Sequence, residues 1–305
     1  KASRVVVGHT PTANSKVTER MDGLVIRLDT GMLKSYYRGQ PSALIIENSG
    51  MYVHYAGIND KEPPVKESHS LSMKLSGMTD REIEELLSTG DITAKEKIGT
   101  GITRPRKLTI TKGDRSINAI FKTVDSRPVT RKEYEESDRY HSDVAAYRLD
   151  RMLDLEMVPA AVTRKIDGIE GVLQYWVENS INERDREETK APFESYCKKD
   201  QQFWIRYIFD ILIFNEDRNL TNILWTKSDY MMVFIDHTRA FRLNGKRPKM
   251  YRKVPLYLSD MLYKKLGSLN LENLTQNLSP YLNKMQINAL IKRRDLILKE
   301  AKRTD

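Results

Sequence analysis

Five polar residues in a row, Asn215, Glu216, Asp217, Arg218 and Asn219, interrupt an apolar stretch of the chain. The run "FWIRYIFDILIF" precedes them, and Ile223, Leu224 and Trp225 follow. Asp217 and Asn222 are five positions apart, and Asp236 lies fourteen beyond Asn222. Asp236 ends "YMMVFID", which reads as a strand, with "NILW" as its hairpin partner across "TKSD". Three oxygen-bearing side chains therefore flank one small β unit. Mg2+ takes hard oxygen ligands and is commonly held by one or two carboxylates plus nucleotide phosphates. Asn222 and Asp236, at the ends of adjacent strands, suit such a pair. Asp217 stands apart and could accept or orient the hydroxyl proton of an acceptor. The plainer alternative is a polar hairpin whose Asn and Asp residues cap turns.

Phosphoryl transfer also needs a cation on the nucleotide phosphates and a group to hold it. Lys122 closes the apolar strand "INAIFK", where an unpartnered ammonium would be costly to bury. Asp143, on the helix that follows, is its candidate partner; the alternatives are a snorkelling surface lysine and a solvated helix carboxylate. Upstream, "KIGTGITRPRK" places Gly99 and Gly101 in a turn whose backbone N–H groups could cover phosphates. The order is glycine turn, strand lysine, helix acid, then Asp, Asn and Asp.

These residues need elements to position them. Residues 1–60 read as β-rich, with strand patterns at "RVVVGHT", "GLVIRLD", "SALIIEN" and "MYVHYAG". The Pro-Pro stretch 61–76 reads as a linker. In "TDREIEELLSTG", Thr79 and Glu82 form a capping-box pair, Ile83, Leu86 and Leu87 share one face, and Gly90 is a stop. "KLTIT" and "INAIFKTV" flank the hairpin signal "KGDRS". Helical spacing is expected from about 133 to 154, then two strands around a glycine turn. The charged stretch 179–201 reads as a mobile loop or insertion. Helices are expected from 202 onward, ending near 284–302, with Arg206 and Asp210 as an ordinary i,i+4 pair.

The chain has 305 residues, 39% hydrophobic and 30% charged, which is enough for two lobes with real cores. No apolar run approaches the length of a membrane span, and "KASRVVVGHT" reads as a strand and turn, not a signal peptide. The chain does not open with Met, so the numbering is expected to start inside a longer protein. One cysteine, Cys197, excludes a disulfide framework within the chain and fits a cytoplasmic location. A net charge of +9 favours anionic partners such as nucleotides or phosphorylated substrates, or reflects only a solvated basic surface. No nucleic-acid motif is recognised, so that partner is not expected.

"NEDRNLTNILW" followed by "VFIDHTRAF" resembles the catalytic and metal-binding motifs of the atypical protein-kinase-like superfamily. That superfamily includes the phosphatidylinositol 3/4-kinases, HipA-type bacterial kinases and secretory-pathway kinases. "DVAAYRLDRMLDLEMVPAAV" is similar to the helix after the lysine strand in the secretory-pathway and related bacterial members. The resemblance covers roughly 95–300 and implies an α+β, two-lobed protein-kinase-like fold, with an N-lobe at 77–178 and a C-lobe at 179–305. It implies ATP and Mg2+ (or Mn2+) as cofactors. Lys122 would contact ATP phosphates and Asp143, where the family more often has Glu, would hold it. Asp217 would be the catalytic Asp, and Asn222 and Asp236 the metal ligands. The adenine hinge would fall at 174–178, with Gln174 and Val177 as contacts. His237 stands where commoner kinases have Phe. The basic run "GKRPKMYRK" would face the acceptor and select an acidic or phosphorylated one, or be a solvated loop.

"VVVGHTPT", "GLVIRLDTGM" and "SALIIEN" look like the closing part of a calcineurin-like metallophosphatase β-sandwich, over residues 1–60. Gly8-His9 would be its last metal-ligand motif, with His9 a ligand whose partners lie upstream. The implied whole is an ATP-dependent kinase with an unidentified acceptor, fused to a metallophosphatase. Alternatives are a pseudokinase or nucleotide-binding regulatory module of a phosphatase, and nucleotidyl transfer on the same fold.

Overall fold

The computed structural model describes residues 4–9, 12, 15–20, 24–66, 71–98, 105–126, 130, 132, 137–191, 193, 195 and 197–304. The chain divides into two compact units, Lys1–His69 and Ser70–Asp305.

The first unit contains β1 (Val5–Val7), β2 (Thr18–Arg20), β3 (Val25–Arg27), the single-turn helix α1 (Lys34–Tyr37), β4 (Ser42–Glu47), β5 (Gly50–Tyr55) and β6 (Val65–Lys66). Its sheet runs β1-β3-β2-β6, and β4 and β5 form a separate antiparallel hairpin. Val17, Ile26, Val53 and Tyr55 make its core, and the buried Tyr55 hydroxyl accepts the Val17 N–H at 2.8 Å. The four strand patterns at 1–60 appear as β1, β3, β4 and β5. The stretch expected as a linker, 61–76, spans the division between the units and carries β6 and helix α2 (Leu71–Ser76). Leu71 and Leu75, one turn apart, reach the core of the second unit, and the Leu71 N–H donates to Glu156 at 2.9 Å.

In the second unit α3 (Asp80–Thr89) begins with the expected Thr79–Glu82 capping box. Its C-terminal Gly90 is not left-handed; a Cβ there would lie 2.6 Å from Ile110. Strands β7 (Asp91–Lys97), β8 (Arg106–Lys112), β9 (Arg115–Lys122), β10 (Ala161–Ile166) and β11 (Ile169–Tyr175) form one antiparallel sheet in the order β10-β11-β9-β8-β7. Asp167 and Gly168, with φ of 51° and 81°, turn β10 into β11. Helix α4 (His141–Met152) packs on β10 and β11. It is shorter than the pattern at 133–154 implied: Leu153 already caps it, and residues 133–136 lie outside the described residues.

The remainder holds β12 (Ser180–Asn182), α5 (Glu183–Thr189), α6 (Lys199–Ile213), β13 (Ile223–Thr226), β14 (Met232–Phe234), β15 (Tyr257–Ser259), α7 (Asp260–Ser268), α8 (Leu271–Leu278), α9 (Lys284–Glu300) and β16 (Lys302–Thr304). Within the stretch read as a mobile loop at 179–201, the described residues carry β12, α5 and the start of α6, held by a polar contact. Buried Glu183 accepts the Trp225 indole N–H at 2.7 Å and the Lys199 ammonium at 2.7 Å, which locks β12 and α5 onto β13. Arg206 and Asp210 do not pair. Arg206 stacks on Phe203 and Tyr207, while Asp210 turns inward to Arg218. Fully buried Arg293 of α9 donates to the carbonyls of Leu212 and Arg242, joining the last helix to the site-bearing segments.

Candidate active site

Strand β9 alternates until its end. Ile117, Ala119 and Phe121 face the core, and Lys122 is then buried out of phase. A lone ammonium would not tolerate that position, but two carboxylates reach it. Lys122 Nζ donates to Asp143 Oδ2 at 3.0 Å and to Asp236 Oδ1 at 2.9 Å. Burial pushes the lysine toward neutrality, and the two carboxylates more than offset it, so the group is held charged well above its ordinary range. Asp143 is fully buried on α4. Burial disfavours its ionised form, but Lys122 and the His237 backbone N–H, 2.7 Å from Oδ1, hold its carboxyl below the usual range. Burial and the charge on Arg218 push the buried His237 imidazole downward in pKa.

Two of the five polar residues of the opening stretch, Asn215 and Arg218, meet at Asp210, at the inner end of α6. Asp210 accepts from Arg218 Nη2 at 3.0 Å, from the Asn215 amide at 3.2 Å and from the Tyr251 hydroxyl at 2.9 Å. The other Arg218 arm donates to the carbonyls of Asn222 at 3.0 Å and Ile235 at 2.7 Å. One buried guanidinium thus bridges the two strands at the open end of the β13–β14 hairpin, beside the Ile223–Phe234 pair. Asn222 falls just before β13 and Asp236 just after β14. Asp236 has φ of 60°, a left-handed turn that Asp tolerates better than most residues. Glu216 accepts the Lys249 N–H at 2.7 Å, tying the basic run to the residue before Asp217.

Lys122, Gln174, Val177, Asp217, Asn222 and Asp236 all line one cleft of about 960 Å3. Asp143 stands behind Lys122. Gly99 and Gly101 lie outside the described residues. His9 is exposed in the first unit with φ of 76°. Among the described residues no group of three or more His, Cys, Asp and Glu side chains could hold a metal, and His9 belongs to none. Asn222 and Asp236 suit a hard cation that also takes phosphate oxygens. The Asn222 amide nitrogen donates to the Asp217 carbonyl at 3.0 Å, and among the described residues its oxygen accepts no hydrogen bond. Lys122 and Thr238 both approach Asp236 Oδ1, which leaves Oδ2.

Asp138, Thr238 and Arg239 are among the cleft residues to which the sequence reading assigned no role. Arg239 Nε donates to Asp138 at 3.0 Å, and its Nη1 lies 3.6 Å from Asp217. Thr238 and Arg239 follow Asp236 directly in "DHTRAF", which was the available signal; Asp138 offered none. Ile98, Ile120, Tyr175 and Trp176 give the other end of the cleft an apolar lining.

No family model matches the sequence, and no curated protein matches it. Solved structures do. The hydra Fam20 structure with sugar is 19% identical, with a TM-score of 0.54 over 73% of this chain and 88% of that one. The Golgi casein kinase is 17% identical, with a TM-score of 0.52 over 73% and 75%. Its structure with Mn and ADP bound is 16% identical, with a TM-score of 0.52 over 73% and 76%. The chain therefore has an α+β, two-lobed, protein-kinase-like fold.

Proposed function

We propose that this chain is an ATP-dependent phosphotransferase that uses Mg2+ or Mn2+ and passes the γ-phosphate to a hydroxyl acceptor. The observation that carries the reading is the double clamp on Lys122, in the same cleft as Asp217 and Asn222. Lys122 is a fixed cation for the nucleotide phosphates. The apolar end near Ile120, Tyr175 and Trp176 suits a planar base, and the Val177 N–H has no hydrogen-bond partner among the described residues. A divalent cation held by Asn222 and Asp236 would neutralise charge on the phosphates. Asp217, with its carboxylate in the cleft, takes the acceptor proton at an Oδ atom or orients the hydroxyl.

The acceptor is anionic in this reading. Lys246, Lys249, Arg252 and Lys253 are exposed and have no acidic partner among the described residues. Glu216 anchors their loop one residue from Asp217. The first unit is the closing part of a metallophosphatase domain, a reading supported by its resemblance around Gly8-His9. A full-length product too small to hold the rest of that domain would remove it. The lone Cys197 supports a cytoplasmic location, and among the described residues no helix is long and apolar enough to cross a membrane.

Label position tests the reaction class. Incubation with an acidic peptide library should transfer label from γ-labelled ATP and none from α-labelled ATP. Transfer from α-labelled ATP would indicate nucleotidyl transfer, and nucleotide binding without either would indicate a pseudokinase.

A further inference from the structure

We infer that Arg239 is a positioning residue that sets the orientation of the Asp217 carboxylate, and that Asp138 in turn sets Arg239. The inference rests on the phosphotransferase reading and assigns two residues that the reading leaves unused.

Asp217 is held by its backbone. Its N–H donates to Asn215 at 3.0 Å, and its carbonyl accepts from Asn222 at 3.0 Å. Its carboxylate is a different matter. Among the described residues its one ion-pair contact is with Arg239, whose Nη1 lies 3.6 Å from Oδ2. A carboxylate on a freely rotating χ1–χ2 pair presents its oxygens in several directions, whereas a proton acceptor must present one of them to the acceptor hydroxyl. A fixed guanidinium on one oxygen leaves the other for the proton.

Arg239 is fixed because Asp138 grips it from the far side. Nε and Nη2 reach the two Asp138 oxygens at 3.0 and 3.3 Å, the fork geometry that constrains arginine most. Asp138 is itself pinned. Its N–H and carbonyl both pair with Ser126, and its carboxylate accepts the Thr238 hydroxyl at 3.2 Å. The next residue, Arg139, donates its N–H to the Thr238 carbonyl at 2.9 Å. The relay Asp138–Arg239–Asp217 thus runs from the segment ahead of α4 to the residue proposed to take the proton. Side-chain exposures of 39% for Arg239 and 40% for Asp217 leave both open to the cleft. The contact is long enough for an acceptor hydroxyl to approach Asp217 without breaking a tight pair.

Arg239→Ala should lower kcat about 10- to 100-fold and leave the KM for ATP within about twofold, and Arg239→Lys should recover part of the loss. Asp138→Asn should reproduce the kcat loss although it does not reach Asp217. In single-turnover assays, Arg239→Ala on top of Asp217→Ala should cost nothing further, because the arginine acts only through that carboxylate. Losses that multiply in the double variant would show that Arg239 acts on the phosphates instead and would overturn the assignment, as would full activity in Arg239→Ala. If Asp217→Ala alone runs at the wild-type rate, the phosphotransferase reading itself fails, and this role falls with it.

Discussion

Lys122 and Asp236, 114 positions apart, meet at 2.9 Å across the cleft, so the last residue of β9 is joined to the turn after β14. The other carboxylate on Lys122, Asp143, is fully buried, whereas Asp236 is open to the cleft. The two partners therefore carry different burdens. Asp143 makes the buried ammonium tolerable, and Asp236 remains available for a ligand. Asp143→Ala should destabilise the second unit by about 3 kcal/mol, because the buried ammonium then keeps only the solvent-open Asp236. Asp236→Ala should cost much less. Urea midpoints for the two variants check this ordering.

Gly171 decides where Lys122 sits. A Cβ on Gly171 would lie 2.4 Å from the Lys122 carbonyl oxygen and 2.8 Å from the Phe121 ring. Gly171→Ala should push β11 from β9 and displace the lysine. The expected result is a folded protein with weakened nucleotide binding, read as a smaller thermal shift on adding Mg-ATP.

Arg218 has no exposed side-chain surface and spans Asp210, Asn222 and Ile235. Arg218→Ala should cost about 3–5 kcal/mol by leaving Asp210 charged and poorly paired. Arg218→Lys should recover little, since an ammonium lacks the planar fork. Arg184→Ala, at an exposed position, should stay within about 0.5 kcal/mol. Chemical denaturation of the three variants separates these outcomes.

Glu183 gives the second unit an acid limit. Burial opposes its charge, yet Arg186, Lys199 and Trp225 hold its carboxyl down at about 2. The unfolded value is about 4.3. A depressed carboxyl contributes stability above the unfolded pKa and loses it as pH falls toward the folded one. Stability should therefore drop between about pH 4.3 and 2, and Glu183→Gln should flatten that slope while lowering stability at neutral pH. Fluorescence of the buried Trp225, which donates to Glu183, follows the transition.

Much of this site was legible because local chemistry and periodicity agreed. The Thr79–Glu82 capping box, the "KGDRS" hairpin and the β13–β14 pair each carry their own sequence signal. Lys122 was visible because a lysine closing an apolar strand demands a partner, and Asp143 lay on the next helix. Other features depended on contacts that sequence spacing does not encode. Glu183 looked like one more charge in a charged stretch because its partner, Trp225, is 42 positions away. Arg206 and Asp210 had helical ion-pair spacing, yet the buried Arg218 outcompeted Arg206 for the carboxylate. Asp138 and Arg239 are 101 positions apart, and Asp138 carries no motif that would point to the arginine after Asp236. Charged pairs across a fold leave no periodic trace, whereas apolar faces do.

Phosphotransfer from γ-labelled ATP to an acidic acceptor should separate wild type from Asp217→Ala and Asp236→Ala. Circular dichroism should show both variants folded. Transfer should fall by at least about 100-fold in each, and the metal-dependent thermal shift with ATP should vanish in Asp236→Ala and persist in Asp217→Ala. Wild-type transfer rates in both folded variants would contradict the account.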